Sequence, residues 1–280
     1  MALGIGYITA DEIAASLSTK GNRFGSFANM AMISDTFRIA FPALAGAVYL
    51  AFKLPGLIVL AFVSFLIISA ITFLLSKKFK LSTKTQGALP TKENPVKLLK
   101  ENKRFSFVLF LELFDSFASS QLFVFLPTLL VFKGFQIETA VALQSVVFLG
   151  YFSGRWLVSL LAKRLDGYKA IAVAESGMVL TIILLILLPR SGLLYILCLL
   201  LGIFARGTSP IIKALVFDNL EPEQTRRGTA LYMVVGDGGS GLGQLVFGLF
   251  LAWFGVVAPF IGSAIAAILV VIFIVYKLFL

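Results

Sequence analysis

Histidine does not occur in the 280 residues of this chain, and cysteine occurs once, as Cys198. The first absence excludes histidine-ligated metal sites and histidine acid–base chemistry. The second excludes a disulfide framework and leaves Cys198, set in an apolar stretch, as a small packing residue. Charge is scarce as well: Asp, Glu, Lys and Arg make up 14% of the chain, against about 25% in a soluble domain. No glycine-rich phosphate loop stands beside a lysine, and no nucleophile is paired with a base. An enzyme site is therefore not expected, and no cofactor is implied.

What the chain has in abundance is apolar length, with 59% of residues hydrophobic. A bilayer core about 30 Å thick takes about 20 apolar residues per helix. Eight stretches of that kind can be marked off between polar breaks, near 26 to 50, 56 to 76, 105 to 131, 139 to 161, 170 to 189, 193 to 217, 229 to 254 and 257 to 278. The expected fold is an all-α polytopic membrane protein, with the lipid bilayer as its surroundings. The opening MALGIGYITADEIAASLSTKGN lacks a basic leader and meets Asp11 and Glu12 too early for a complete span. It reads as the end of a helix and not as a signal peptide.

The charges that remain are distributed unevenly. Segment 77 to 104, KKFKLSTKTQGALPTKENPVKLLKENKR, holds nine Lys or Arg against Glu93 and Glu101. No aromatic residues interleave its lysines, so a nucleic-acid surface is not indicated. Flanked by apolar spans, it reads as a cytoplasmic loop, because basic loops stay on that side during insertion. With it inside, seventeen basic residues fall on the cytoplasmic side and only Lys53, Lys133 and Arg190 on the other. Both termini are then cytoplasmic, and the cell membrane is the expected location. Pro90, Pro95 and Gly87 within the segment mark a linker between two helical bundles, 1–76 and 105–280.

Two parts of the chain also echo each other. GSFANMAMISDTFRIAFPALAG (25–46) and GTALYMVVGDGGSGLGQLVFG (228–248) align Arg23 with Arg226, Gly25 with Gly228, Met30 with Met233, Asp35 with Asp237 and Gly46 with Gly248. Internal similarity of this kind is what transporters built from repeated halves show. If the second repeat has six helices beginning at 105, the first retains only the end of its fourth helix, its fifth and its sixth.

Two basic-loop-separated bundles with cytoplasmic termini resemble the major facilitator superfamily of secondary transporters. GRWLVSLLAKRLDGYK (154–169) resembles that family's signature between the second and third helices of a bundle, through Gly154, Arg155, Arg164, Asp166, Gly167 and Lys169. Lys163 stands where the signature usually has an acidic residue, and Asp166 is displaced. FPALAG (41–46) resembles the end of the glycine–proline motif of proton-coupled exporters, keeping Pro42 and Gly46. The resemblance implies the last two-thirds of a twelve-helix transporter: eight full spans and the end of a ninth. It also implies transport of a small-molecule substrate by alternating access, with proton-coupled efflux as one form. A non-transporting scaffold or receptor, or an inactive fragment derived from a transporter, is the alternative.

Charged residues inside the spans nominate the transport pathway, since an ionisable group at a helix centre costs about 2.5 to 3.5 kcal/mol on insertion scales and faces a cavity or a partner. Asp35 and Arg38, three apart, can neutralise each other on one helix face. Glu112 and Asp115 have the same spacing but like charge, which suits a carboxyl that takes up and releases a proton; solvation or pairing with Arg206 or Lys213 is the competing reading. Arg206, in IFARGTSPIIKAL, sits where Gly207, Ser209 and Pro210 should break the helical ladder. It is the candidate for an anionic substrate group or for Asp115. Gln121, Gln144 and Gln244 are polar cavity candidates that helix-to-helix hydrogen bonds would explain equally well. Asp237 lies among glycines at an expected moving interface. Glu175 reads as an edge residue at the cytoplasmic end of a lipid-facing helix.

Overall fold

In a computed structural model of the chain, the structure describes residues 95–221 and 224–279, helical stretches at 25–29 and 58–67, and isolated positions between 32 and 70. Asp35, Arg38 and the segment 77 to 94 lie outside the described residues. Eight helices follow from residue 95: α1 (Pro95–Glu101), α2 (Lys103–Phe132), α3 (Ile137–Leu165), α4 (Gly167–Leu187), α5 (Leu193–Gly207), α6 (Ser209–Asp218), α7 (Thr225–Phe254) and α8 (Ala258–Phe279). Counting α5 and α6 together, six of them among the described residues are long and apolar enough to cross a membrane. Their limits fall within a few residues of the apolar stretches read from 105 onward.

Local chemistry explains where the helices stop. The end of the basic linker is itself helical, with Leu98 buried beneath it and Lys97 paired to Glu101 at 3.7 Å. Asn102 then caps α2, its Oδ1 accepting from the Phe105 N–H at 3.0 Å while its Nδ2 donates to the Asn219 carbonyl at 2.5 Å. At the opposite end, the Lys133 ammonium donates to the carbonyls of Ile186 and Leu188 at 3.0 and 2.6 Å. Arg190 donates to the Gly134 carbonyl at 2.7 Å. Cations thus finish the exposed carbonyl ends of α2 and α4, where the helix dipole favours positive charge. The span from Leu193 to Asp218 divides at Thr208: Gly207 ends α5, and Pro210, in the first turn of α6, has no N–H to continue the ladder.

The helices pack by two kinds of close approach. On α3 and α5 the backbones nearly touch, and a Cβ added to Gly150 would stand 2.9 Å from the Gly202 Cα. Along α7, Gly239 and Gly243 press against α2, where an added Cβ would meet the Leu113 and Phe117 carbonyl oxygens at 2.6 Å. Gly238 and Gly241, on the other face of α7, meet nothing within 4 Å. Small residues at helix contacts are how membrane helices gain van der Waals contact when lipid supplies no hydrophobic drive.

The outside of the bundle is apolar. Leu187, Trp253, Phe254 and Phe132 are 72%, 70%, 71% and 68% exposed, far beyond the patches a soluble monomer shows. Phe132, Trp253 and Phe254 all lie at helix ends away from the basic segments, as an interfacial aromatic belt would. The chain is a multi-pass membrane protein. In the interior, buried apolar residues form two clusters stacked along the helices. One, holding Leu122, Leu129, Cys198 and Phe260, lies away from the basic linker; the other, holding Phe105, Leu109, Ile171, Ile211 and Ile274, lies nearer to it.

The glycine contacts give a paired test. Gly239→Ala should lower stability by about 1 to 3 kcal/mol, the range for overpacking. Gly241→Ala should be neutral or gain up to about 1 kcal/mol from helix propensity. Thermal unfolding of both variants in detergent micelles checks this.

A candidate polar layer between two apolar clusters

Between the two apolar clusters lies a band of charge. On α2 one cluster ends at Leu111 and the other starts at Ala118, and Glu112, Asp115 and Ser116 fill the interval. On α3 the interval from Tyr151 to Val158 contains Arg155; on α4 the interval from Ala174 to Met178 contains Glu175. Across the α5–α6 break, from Ala205 to Ile211, it contains Arg206 and Thr208. Glu112, Asp115, Arg155, Glu175 and Thr208 are all buried, and Arg206 is half-buried. Each of these helices thus contributes its charge at the same depth, where charges can neutralise one another away from lipid.

Asp115 is the hub. The Thr208 hydroxyl donates to its Oδ1 at 2.7 Å, which ties α2 to the start of α6. Arg206 lies within electrostatic reach of both Asp115 and Glu112, with the hydroxyls of Tyr151 and Tyr232 around it. Glu112 accepts from the Ser116 hydroxyl at 3.0 Å, and its carboxyl lies against α7, where a Cβ at Gly236 would stand 2.6 Å from Oε1. Lys213 approaches the same glutamate from α6. The second oxygens of Glu112 and Asp115 are buried without a hydrogen-bond donor. The hydroxyls of Thr208 and Ser116 each bind one carboxylate, Arg206 stands within electrostatic reach, and the second oxygens are acceptor positions for a proton or a cationic group.

The residues singled out from the sequence separate accordingly. Glu112, Asp115 and Arg206 come together, and Arg206 faces carboxylates of its own bundle. Gln121 does not join them: its Nε2 donates to the Ala118 carbonyl at 2.6 Å and to the Ser263 hydroxyl, which itself donates to Ala118 at 2.7 Å. It pins α8 to α2. Gln144 likewise donates to the Phe123 carbonyl at 2.8 Å. Asp237 is exposed on the face of α7 turned away from α2, beside the open Gly238. Of the loop signature, Arg164, Asp166 and Lys169 are exposed, with Asp166 in the left-handed region at φ 77°. Gly167 packs beneath Ile211 and Leu215, and Gly154 packs against the backbone of Ile203.

One member of the layer was read differently from the sequence. Glu175 is not an edge residue facing lipid: it is 1% exposed, and its carboxyl meets that of Asp115. Arg155 lies within α3 at the depth of the layer. The available signal was register, since Glu175 is a lone charge eight residues into a helix that is apolar beyond its first turn, deeper than an edge.

A second polar and aromatic contact lies toward the linker end. Phe27 stacks on Phe217 with centroids 5.2 Å apart and planes 20° from parallel, and both are buried with Ala214. The Lys213 ammonium stands 5.7 Å from the Phe27 ring and 5.8 Å from that of Tyr232, within cation–π range. This contact joins the stretch at 25–29 to α6 and α7.

Comparison with known proteins agrees with this architecture. The family model of the Major Facilitator Superfamily matches residues 1–243. Among solved structures, the crystal structure of a bacterial homologue of the iron transporter ferroportin in outward-facing state superposes with a TM-score of 0.71 at 16% identity. The same homologue with soaked iron gives 0.67 at 17%. In each case the match covers 98% of this chain and 68% of that one, and at such identity it shows the fold. No curated protein matches the sequence.

The hub predicts an asymmetry at residue 208. Thr208→Val, which leaves the Asp115 oxygen unsatisfied, should lower stability by about 1 to 3 kcal/mol, whereas Thr208→Ser should keep most of it. Thermal unfolding of the two variants, side by side in one detergent, distinguishes a hydrogen bond from a packing role.

Proposed function

The chain belongs to the Major Facilitator Superfamily, a family of membrane transporters, and we propose that it moves a small solute by alternating access, with proton-coupled efflux as the form of transport. The observation that carries this reading is the buried layer of Glu112, Asp115 and Arg206 at the break between α5 and α6. Charges at that depth are costly in a membrane unless they serve a path for solute or ions. A broken helix supplies the freed backbone groups from which such paths are built.

The roles divide by chemistry. Asp115 and Glu112 take up and release the proton. Arg206 neutralises whichever carboxylate is ionised, and Thr208 orients Asp115 through its 2.7 Å bond. Asp237, on the open face of α7, lines the path where the two bundles meet, and Asp35 and Arg38 are the sequence's candidates for the same path from the first repeat. The bundles are 1–76 and 105–280, joined by the basic linker 77–104 and comprising eight full spans, with the basic segments in the cytoplasm. The Phe27, Phe217 and Lys213 contact then holds the two bundles together at the cytoplasmic end.

The iron named for that homologue is not carried over as cargo. The sequence has no histidine, Cys198 is buried in an apolar cluster, and among the described residues no three metal-ligating side chains converge.

Everted membrane vesicles holding a respiratory pH gradient test the proposal. Small solutes are added one at a time while a pH-sensitive dye reports the gradient. At least one solute should dissipate the gradient with the wild-type chain, and Asp115→Asn should abolish that response. A response of equal size in Asp115→Asn contradicts proton coupling through this layer.

A further inference from the structure

Glu175 is the one carboxyl of the layer that the transport reading leaves without a task. It is 1% exposed, and neither oxygen has a hydrogen-bond donor. Its polar neighbour is another carboxyl, that of Asp115. Asp115 in turn has one oxygen occupied by the Thr208 hydroxyl and the other buried without a donor. Ionised carboxylates are acceptors only, so two of them facing each other form a hydrogen bond only when one carries a proton. Among the described residues, Asp115 is the charged group that acts on Glu175. Arg206 of α5 reaches Asp115 and Glu112, and Lys213 of α6 reaches Glu112. Arg155 of α3 lies at the depth of the layer, and Lys277, the one ionisable residue of α8 besides Tyr276, donates to the Tyr168 hydroxyl at 2.9 Å, near the end of α8.

We propose that Glu175 and Asp115 form a proton-binding carboxyl pair, with one proton held between the α4 and α2 side chains and Glu175 as the member away from the guanidinium. When the proton passes, the O–H bond to Glu175 breaks as one forms to the free oxygen of Asp115, and the negative charge moves the opposite way. The Thr208 hydroxyl already occupies one oxygen of Asp115, so its other oxygen is the one that faces the shared proton. Loss of Arg206 from Asp115, as the bundles rearrange or a cationic solute enters, draws the proton toward Asp115. This gives α4, a helix whose other charge lies in its first turn, a part in coupling. The role in coupling rests on the proton-coupled transport reading, whereas proton binding by the pair can be measured without any transport.

Infrared pH-difference spectroscopy of the protein reconstituted in phosphatidylcholine and phosphatidylglycerol bilayers tests this with protons as the only ligand. The wild type should show a protonated-carboxyl C=O band that titrates. Glu175→Gln, whose amide can donate to Asp115 in place of the proton and so preserve the fold, should lose that band. Asp115→Asn should lose or shift it, and Glu138→Gln, exposed at the start of α3, should keep it. A band unchanged in Glu175→Gln overturns the proposal, as does a wild-type spectrum without one. If the band behaves as expected but no solute moves protons in vesicles, the pair stands and the coupling reading fails. If protons move in vesicles but the band is unaltered in Glu175→Gln, coupling stands and the pair fails.

Discussion

Arg206 facing Asp115 and Glu112 across a broken helix is the constraint that the rest of this bundle accommodates. In an apolar interior a lone carboxylate or guanidinium is far too costly to keep ionised, and attraction between the two offsets that cost only when the geometry is close and the remaining lone pairs are met. The structure interrupts a span at Gly207, Thr208 and Pro210, which puts the Thr208 hydroxyl on Asp115 and keeps Arg206 within electrostatic reach of both carboxylates. It supplies the shielding by stacking one apolar cluster on each side. The layer is therefore a polar cross-link between α2, α4, α5 and α6.

The glycine contacts follow from the same demand. To cover Glu112, α7 approaches α2 until backbone meets side chain, and a Cβ at Gly236 would make the carboxyl shift. For α5 to bring Arg206 inward, α3 must let it close, and Gly150 and Gly202 permit that. Charges placed at one depth and small residues beside them are two aspects of one arrangement. The apolar exterior, with Trp253 and Phe254 at a helix end, faces lipid and bears no part of the chemistry.

Much of this was legible in the sequence because a charge within an apolar run is conspicuous. The spacing of Glu112 and Asp115, the break after Arg206 and the glycines of GDGGSG all pointed to features that the structure contains. Face and depth were harder to read. Glu175 sits in a helix whose apolar content shows no preferred side, so nothing local told that its carboxyl turns toward Asp115. Gln121 looked like a cavity residue, since an amide in a span serves either a path or a helix contact; its partner Ser263 lies 142 residues away.

Mutual stabilisation of Arg206 and Asp115 within the membrane is measurable by a double-mutant cycle on thermal or denaturant unfolding in one detergent, using Arg206→Met, Asp115→Asn and the two together. Removing one partner of a buried pair costs about 3 to 5 kcal/mol, and the double variant should recover most of the loss seen in Arg206→Met. Effects that add within about 0.5 kcal/mol, as independent sites do, would show that the two residues do not hold each other and that the layer is not organised around them.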